Sequence, residues 1–152
     1  MERTILHTLD DTQSFAKDLS KRLNLGIQIG LIGGLGAGKT TLVKYLVEAL
    51  GVSDPVSSPT YVLQHEYGLT TSPIHIDHWD LFRLSEPPQE ILEPVADTAI
   101  RIIEWCDKFP AVMDQCDLLV HIKHKDKISE GEVGNNAIFD REVEVSWFSR
   151  RP

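Results

Sequence analysis

Cysteine is scarce in this chain, with only Cys106 and Cys116 among 152 residues. Two cysteines cannot form a disulfide framework, and their spacing excludes a C-x-x-C motif. We therefore expect free, partly buried thiols in a reducing compartment. Long apolar runs are also missing: none reaches the roughly 20 residues of a membrane span. The N-terminal segment MERTILHTLDDTQ lacks the apolar stretch of a secretory signal. The sequence thus predicts a cytoplasmic protein with no membrane contact.

Positive charge is in short supply as well. The chain has 15 lysines and arginines against 23 aspartates and glutamates, which gives a formal net charge of −8 and a pI near 5.1. A broad direct contact with nucleic acid needs clustered lysine and arginine, so this charge argues against one. A basic patch on one face, or contact with RNA through a partner protein, stays open. The length and the 41% hydrophobic content predict a single domain over residues 1–152.

Hydrophobic periodicity predicts an α/β protein. Apolar residues four apart predict a helix over residues 11–23, and a second helix follows over residues 39–50. Apolar or alternating runs predict strands at residues 27–32, 61–67, 74–79, 99–105, 117–123 and 142–148. A strand and a helix followed by many strands indicate a central parallel sheet that antiparallel strands extend at its edges.

The most specific motif is GGLGAGKT at residues 33–40, which matches G-x-x-x-x-G-K-S/T. Glycines let such a loop curl until its backbone N–H groups point at phosphates, and the following helix adds the positive end of its dipole. Lys39 supplies a charge for the β- and γ-phosphates, and the Thr40 hydroxyl is a Mg²⁺ ligand. An apolar strand before the motif and an amphipathic helix after it are the required context. The chain is therefore predicted to bind a nucleoside triphosphate with Mg²⁺ in a three-layer fold of the P-loop NTPase type.

A P-loop also needs an acid at the end of a neighbouring strand to order the metal. Glu104 closes the apolar run 100–103 and is the first candidate, with a surface acid after a strand as the alternative. Asp80 is the second candidate and would position the attacking water, with a turn-capping aspartate as its alternative. His75, Asp77 and His78 do not predict a zinc site, because no third and fourth ligands follow at a useful spacing.

The P-loop by itself specifies a phosphate site rather than a function. A GTPase would normally carry an Asn-Lys-x-Asp guanine reader, which is absent here. A nucleoside or shikimate kinase usually has an arginine-rich lid, and the segment 125–136 contains no arginine. Recombinases and helicases are mostly larger and more basic. Among P-loop proteins this leaves a compact ATPase, whose ATP hydrolysis drives or times the action of another protein.

Several motifs beyond the P-loop resemble one family. They are GGLGAGKTT at residues 33–41, SPTY at 58–61 followed by EY at 66–67, HWDLFRL at 78–84 and IEW at 103–105. Their order and spacing resemble those of the TsaE (YjeE) family, bacterial ATPases that are needed to make the threonylcarbamoyl group on adenosine 37 of tRNA. The resemblance spans nearly the whole chain. The three motifs that follow the P-loop make it specific.

The resemblance implies a role for each matched residue. Lys39, Asp80 and Glu104 would act in catalysis, with Thr40 and Glu104 serving Mg²⁺ and Asp80 orienting or activating water. ATP would contact Thr12, near its adenine end, and Gly34, Leu35, Gly36, Ala37, Gly38, Lys39, Thr40 and Thr41. Ser58, Pro59, Thr60 and Tyr61 would form a switch that senses the γ-phosphate.

The resemblance also implies partners. The family hydrolyses ATP slowly alone and works with the catalytic subunit of the tRNA threonylcarbamoyltransferase and that subunit's inactive, paralogous dimerisation partner. The ATPase permits repeated turnover of this pair, so tRNA would be contacted only indirectly. The chain departs from the family pattern at Gly34, where an acid is usual, and at Cys106, where proline is common. Asp77, in an added stretch before the matched motif, competes with Asp80 for its role.

A second hypothesis treats the chain as an assembly module that binds nucleotide while hydrolysis is incidental. In that case Asp80 and Glu104 would be dispensable as long as nucleotide binds. A small-molecule kinase is a third hypothesis, disfavoured by the missing lid.

Overall fold

The computed structural model describes residues 1–52, 63–68, 74–125 and 140–148. In chain order its helices and strands are β1 (Glu2–Leu6), α1 (Leu9–Ser20), β2 (Gln28–Ile32), α2 (Lys39–Ala49), β3 (Gln64–Gly68), β4 (His75–Asp80), α3 (Gln89–Leu92), β5 (Ala99–Glu104), a 3-10 helix (Cys106–Lys108), α4 (Pro110–Met113), β6 (Leu118–His124) and β7 (Arg141–Trp147). Each predicted strand from 27 to 148 has a counterpart whose ends differ by at most one residue, apart from the predicted start at residue 61, which lies outside the described residues. The segment 125–136, whose polar sequence KDKISEGEVGNN predicts a loop, lies outside the described residues after Lys125. No helix in the described ranges is long and apolar enough to cross a membrane.

The seven described strands form one sheet in the order β1-β7-β6-β2-β5-β4-β3. The central strands β6, β2, β5 and β4 run parallel. At one edge β3 pairs antiparallel with β4, and at the other β7 and β1 continue antiparallel. This order confirms the predicted central parallel sheet with antiparallel edge strands. The carboxyl ends of β2, β4 and β5 lie side by side, and the residues that follow them therefore meet at one edge.

Apolar side chains cover both faces of the central strands. On one face Ile29 and Leu31 of β2 pack with the buried sides of α1 and α2. On the other face Ile103, Cys106 and Val112 belong to a second, smaller core that includes the 3-10 helix and α4. Helices thus lie on both sides of the sheet, which confirms the predicted three-layer arrangement. Burial on both faces explains why QIGLI and AIRII are nearly continuous apolar runs.

Helix α1 begins earlier than the periodicity predicts. Its N-cap is Thr8, whose hydroxyl accepts the N–H of Asp11 at 3.1 Å, while the Asp11 carboxylate accepts the N–H of Thr8 at 3.1 Å. This reciprocal pair is a capping box. An aspartate at position 10 or 11 would be an ordinary N-cap, but here Thr8 holds that position and Asp11 lies at the inner position of the box.

Strand β1 has no clear signal in the sequence. Its segment ERTIL is mostly polar and exposed, and only Leu6 is buried. The strand forms because β7 offers an open edge, along which Glu2–Leu6 pairs in register. Such pairing depends on a strand about 140 residues away along the chain, which local periodicity does not detect.

Cys106 and Cys116 are free and buried, as expected from the sequence. Both thiols face Gly30 of β2: a Cβ on Gly30 would lie 2.5 Å from Cys106 Sγ and 2.9 Å from Cys116 Sγ. A hydrogen bond with Cys116, and then burial, raises the pKa of the Cys106 thiol and keeps it protonated. The two thiols are therefore packing groups, and glycine at position 30 lets the second core approach the strand that leads into the P-loop.

Gly30→Ala should lower the free energy of unfolding by about 1–3 kcal/mol, because the added methyl group overpacks the contact with the two thiols. Urea denaturation followed by circular dichroism measures this change. Gly68→Ala is the control, since a Cβ there meets no atom of the described residues within 4 Å. Equal stabilities of the two variants would contradict the packing role of Gly30.

Candidate nucleotide-binding site

The loop between β2 and α2 has the shape of a phosphate cradle. Gly33 is held tightly, since a Cβ there would lie 2.7 Å from the carbonyl oxygen of Ile122. Gly38, with φ of 106°, is the N-cap of α2 in a conformation that side chains rarely adopt. No side-chain hydrogen bond caps the start of α2. The first N–H groups of α2 therefore point into the space above the loop, where an anion is favoured.

Lys39 lies at the centre of this loop and is buried. Its ammonium group donates to the carbonyl oxygens of Gly33 at 2.5 Å and Gly34 at 2.8 Å. The ring of Trp105 covers it, with Nζ 4.3 Å from the ring centroid. Burial lowers the pKa of the Lys39 ammonium, while nearby carboxylates act in the opposite direction. A phosphate bound beside Lys39 would favour the charged ammonium that burial disfavours.

Glu104, the last residue of β5, joins the loop to the sheet. Its Oε1 accepts a hydrogen bond from the Thr40 hydroxyl at 3.0 Å, and its Oε2 accepts one from Nε2 of His78 at 2.7 Å. The other ring nitrogen of His78 lies 3.4 Å from the Tyr67 hydroxyl. Since Glu104 is only 2% exposed, these partners are what makes its carboxylate tolerable in the interior. The two hydrogen bonds fix the orientation of the Glu104 carboxylate, with Oε1 toward Thr40 and Oε2 toward His78.

Asp80 lies next to Glu104, because β4 and β5 pair in parallel with these two residues in register. Its Oδ1 accepts the N–H of Phe82 at 2.9 Å. Asp80 therefore caps the turn after β4, as the turn-capping interpretation of the sequence predicts, in addition to lining the loop. Asp77 points to the opposite face of the sheet, where Arg101 binds it at 3.1 Å. Asp77 therefore does not compete with Asp80 for a place at the loop.

A cavity of about 220 Å³ opens above the loop. Its lining includes most of the residues that the sequence singled out: Leu35, Gly36, Ala37, Gly38, Lys39, Thr40, Thr41, Asp80 and Glu104, together with Trp105 and Arg141. Gly34 instead supplies a carbonyl oxygen to Lys39. The fold thus brings together Lys39 and Thr40 from the start of α2, Asp80 from the end of β4 and Glu104 from the end of β5.

Two of the predicted contributions are not seen at this cavity. Thr12 is buried in α1, where its hydroxyl donates to the Thr8 carbonyl at 3.3 Å, and it is not among the described residues that line the cavity. Its position near an adenine stays a prediction. Ser58, Pro59, Thr60 and Tyr61 lie outside the described residues.

Three contributors to the site went unpredicted. His78 is a satisfied polar side chain, and its pairing with Glu104 does not follow from the sequence. Trp105 adopts a left-handed backbone conformation, with φ of 62°, that aims its ring at Lys39 and Phe82. Arg141 comes from β7 and carries no motif. His78 and Trp105 lie in the motifs HWDLFRL and IEW, but those motifs do not indicate what the two side chains contact.

The residues present fit Mg²⁺ and the phosphates of a nucleotide. A hydroxyl and two carboxylates supply the oxygen ligands that Mg²⁺ prefers, and Mg²⁺ takes few of them from the protein when phosphates and water supply the rest. In the described part of the chain, no three or more histidine, cysteine, aspartate or glutamate side chains form a cluster that could hold a metal by themselves.

Comparison with known proteins identifies the family. The family model described as threonylcarbamoyl adenosine biosynthesis protein TsaE matches residues 6–132. The chain belongs to the TsaE family. The matched stretch contains the P-loop, Asp80 and Glu104, and it ends before Arg141.

Relatives named tRNA threonylcarbamoyladenosine biosynthesis protein TsaE support this assignment. The Haemophilus influenzae protein is 34% identical over 83% of this chain and 85% of its own length. The Aquifex aeolicus protein is 34% identical over 84% of this chain and 90% of its own length. The crystal structure of Bacillus subtilis YdiB superposes with a TM-score of 0.66 at 21% identity, covering 95% of this chain and 82% of that one, which bears on the fold alone.

His78→Leu should lower the free energy of unfolding by about 1–3 kcal/mol, because it leaves Oε2 of Glu104 buried without a partner. The double variant His78→Leu with Glu104→Leu should recover part of this loss, giving a coupling energy of about 0.5–3 kcal/mol in a double-mutant cycle. Urea denaturation measures the free energy of unfolding of the wild type, the two single variants and the double variant.

His75→Leu is the matched control, since it makes the same substitution on the same strand but on the opposite face. A His78→Leu variant as stable as His75→Leu, with no coupling to Glu104, would show that the bond between His78 and Glu104 does not organise the site.

Proposed function

We propose that this protein is a Mg²⁺-dependent ATPase that acts in making threonylcarbamoyladenosine at position 37 of tRNA. The observation that carries the ATPase assignment is the convergence of Lys39, Thr40, Asp80 and Glu104 on the loop cavity. Membership of the TsaE family, whose named members are tRNA threonylcarbamoyladenosine biosynthesis proteins, supports the pathway. ATP is favoured over GTP, because the chain lacks the Asn-Lys-x-Asp segment that reads guanine.

The residues around the loop cavity have separate roles in binding and hydrolysis. Loop N–H groups and the Lys39 ammonium bind the phosphates. The Thr40 hydroxyl and the Glu104 carboxylate would hold Mg²⁺, which would neutralise charge on the phosphate oxygens. Asp80 accepts a hydrogen bond from the water that attacks the γ-phosphate and holds that water in line. His78 keeps the Glu104 carboxylate turned toward Thr40 while this happens.

The partners are the catalytic subunit of the tRNA threonylcarbamoyltransferase and its paralogous dimerisation subunit. ATP hydrolysis by this protein would let that pair modify tRNA repeatedly. The formal net charge of −8 fits this division, since the RNA phosphates would be bound by the partners and not by this acidic chain. The site of action would be the cytoplasm, where tRNA modification takes place.

Asp80→Asn should leave ATP binding nearly unchanged and reduce ATP hydrolysis by about 10²-fold or more, the scale expected when general-base help is lost. The amide oxygen still accepts the Phe82 N–H, so the turn after β4 survives while proton-accepting ability is lost. Phosphate release measures hydrolysis, and calorimetry measures binding. With the transferase pair, the variant should fail to sustain multiple rounds of tRNA modification.

Two controls define the outcome. Lys39→Ala should lose ATP binding itself, by roughly ten- to a hundredfold in affinity. Asp77→Asn makes the same substitution on the same strand, facing the opposite side of the sheet, and should hydrolyse ATP near the wild-type rate. Full multi-round modification by an Asp80→Asn protein that cannot hydrolyse ATP would reject the proposal and favour an assembly module that only binds nucleotide.

A further inference from the structure

Tyr67 of β3 brings a hydroxyl group into the apolar core. The residue is only 4% exposed and belongs to the core that the sheet forms with α1 and α2. Its Oη lies 3.4 Å from Nδ1 of His78 and 3.3 Å from Nδ1 of His65. Phenylalanine would fill the same space, and a buried hydroxyl is tolerated only where it has hydrogen-bond partners. The hydroxyl therefore has a polar role beyond the packing of the ring.

A chain of hydrogen bonds leads from this hydroxyl to the candidate Mg²⁺ ligands. Nε2 of His78 lies 2.7 Å from Oε2 of Glu104, whose Oε1 accepts the Thr40 hydroxyl at 3.0 Å. An ionised carboxylate can only accept, so His78 carries its proton on Nε2. Nδ1 of the same ring then presents a lone pair, and the Tyr67 hydroxyl is the donor that faces it. Each bond in the chain thus has a defined donor.

The two bonds to the His78 ring fix its orientation. A ring that is bonded at one nitrogen can still tilt about that bond, whereas a ring that is bonded at both nitrogens is held in one plane. The pairing of β3 with β4 supplies the second bond, because it sets His65 opposite His78 and brings the Tyr67 hydroxyl between the two rings. Outer partners of this kind orient the side chains that bind a metal. The orientation of the Glu104 carboxylate therefore depends on a hydroxyl from the edge strand of the sheet.

We infer that Tyr67 is a positioning residue for the metal side of the nucleotide site: its hydroxyl donates to Nδ1 of His78 and so holds the Nε2–H group against Glu104. This inference rests on the proposed function. Tyr67 does not line the loop cavity, so it acts only through His78 and Glu104. Loss of the hydroxyl lets the ring and the carboxylate move, which weakens Mg²⁺ binding. The phosphate contacts of Lys39 and the loop N–H groups stay intact.

Nuclear magnetic resonance of the nucleotide-free full chain, labelled with ¹⁵N at its histidines, tests the hydrogen bonds themselves. The signals of His78 are those that His78→Leu lacks. In the wild type His78 should carry its proton on Nε2, and Tyr67→Phe should move the Nδ1 signal downfield, because that nitrogen loses its donor. Tyr45→Phe is the matched control: it removes a hydroxyl from a half-buried tyrosine of α2 and should leave Nδ1 unchanged. A wild-type proton on Nδ1, or an Nδ1 signal that Tyr67→Phe does not move, would overturn the inference.

A magnesium titration tests the consequence for the site. In EDTA, Tyr67→Phe should bind ATP as the wild type does in calorimetry, since Lys39 and the loop are unchanged. The Mg²⁺ concentration that gives half-maximal ATP hydrolysis should rise about tenfold or more, the scale for losing an outer partner of a metal ligand. Tyr45→Phe should keep the wild-type Mg²⁺ requirement.

Thermal unfolding without nucleotide separates positioning from packing. Phenylalanine keeps the ring of Tyr67 in the core, so Tyr67→Phe should remain folded at the temperature of the assays. A lower unfolding temperature together with an unchanged Mg²⁺ requirement would make Tyr67 a packing residue and overturn the inference. If Lys39→Ala loses ATP binding while Tyr67→Phe keeps the wild-type Mg²⁺ requirement, only this inference fails. If Lys39→Ala binds ATP normally, the proposed function itself fails.

Discussion

The carboxylate of Glu104 is bound on both oxygens, by Thr40 from the loop and by His78 from the neighbouring strand. A carboxylate that is almost fully buried is stable only with such partners, and breaking either bond leaves a desolvated charge. The hydrogen bonds therefore constrain where α2 begins relative to β4 and β5. The positions of Lys39 and Asp80 follow, because Lys39 precedes Thr40 in the chain and Asp80 is the register partner of Glu104.

The two faces of the sheet carry different sets of polar side chains. The side chains of His78, Asp80 and Glu104 share the face that carries α2 and build the site. The opposite face holds Arg101, which binds Asp77 and the carbonyl oxygen of Glu93 at 2.8 Å, and the thiols that pack against Gly30. Side-chain alternation along β4 thus places Asp80 at the loop cavity and Asp77, three residues earlier, on the opposite face beside Arg101.

The sequence predicts those features that depend on neighbouring residues along the chain. The glycines and Lys39 form a contiguous motif with its own chemistry, and the buried strands reveal themselves as apolar runs. Glu104 was found because it ends such a run. The choice between Asp77 and Asp80 required the face of β4 that α2 covers, and the sequence left it open.

The unpredicted parts depend on contacts between distant segments. β1 forms because the edge of β7 is open. Arg141 reaches Gly38 because β6 ends and β7 begins beside the loop. Trp105 covers Lys39 only because its backbone turns into a left-handed conformation directly after β5. β1 and Arg141 have no periodic or motif signal, and the IEW motif does not indicate what Trp105 contacts, because each of these contacts depends on the packing of the whole sheet.

The central claim is that hydrolysis at this site, and not nucleotide binding alone, sustains tRNA modification. The most direct measurement supplies the transferase pair with its threonylcarbamoyl donor and excess tRNA, and adds this protein with either ATP or a non-hydrolysable ATP analogue. Counting modified tRNA per transferase pair reports the number of rounds. The account predicts repeated rounds with ATP and a stop after the first round with the analogue. Equal numbers of rounds with both nucleotides would contradict it.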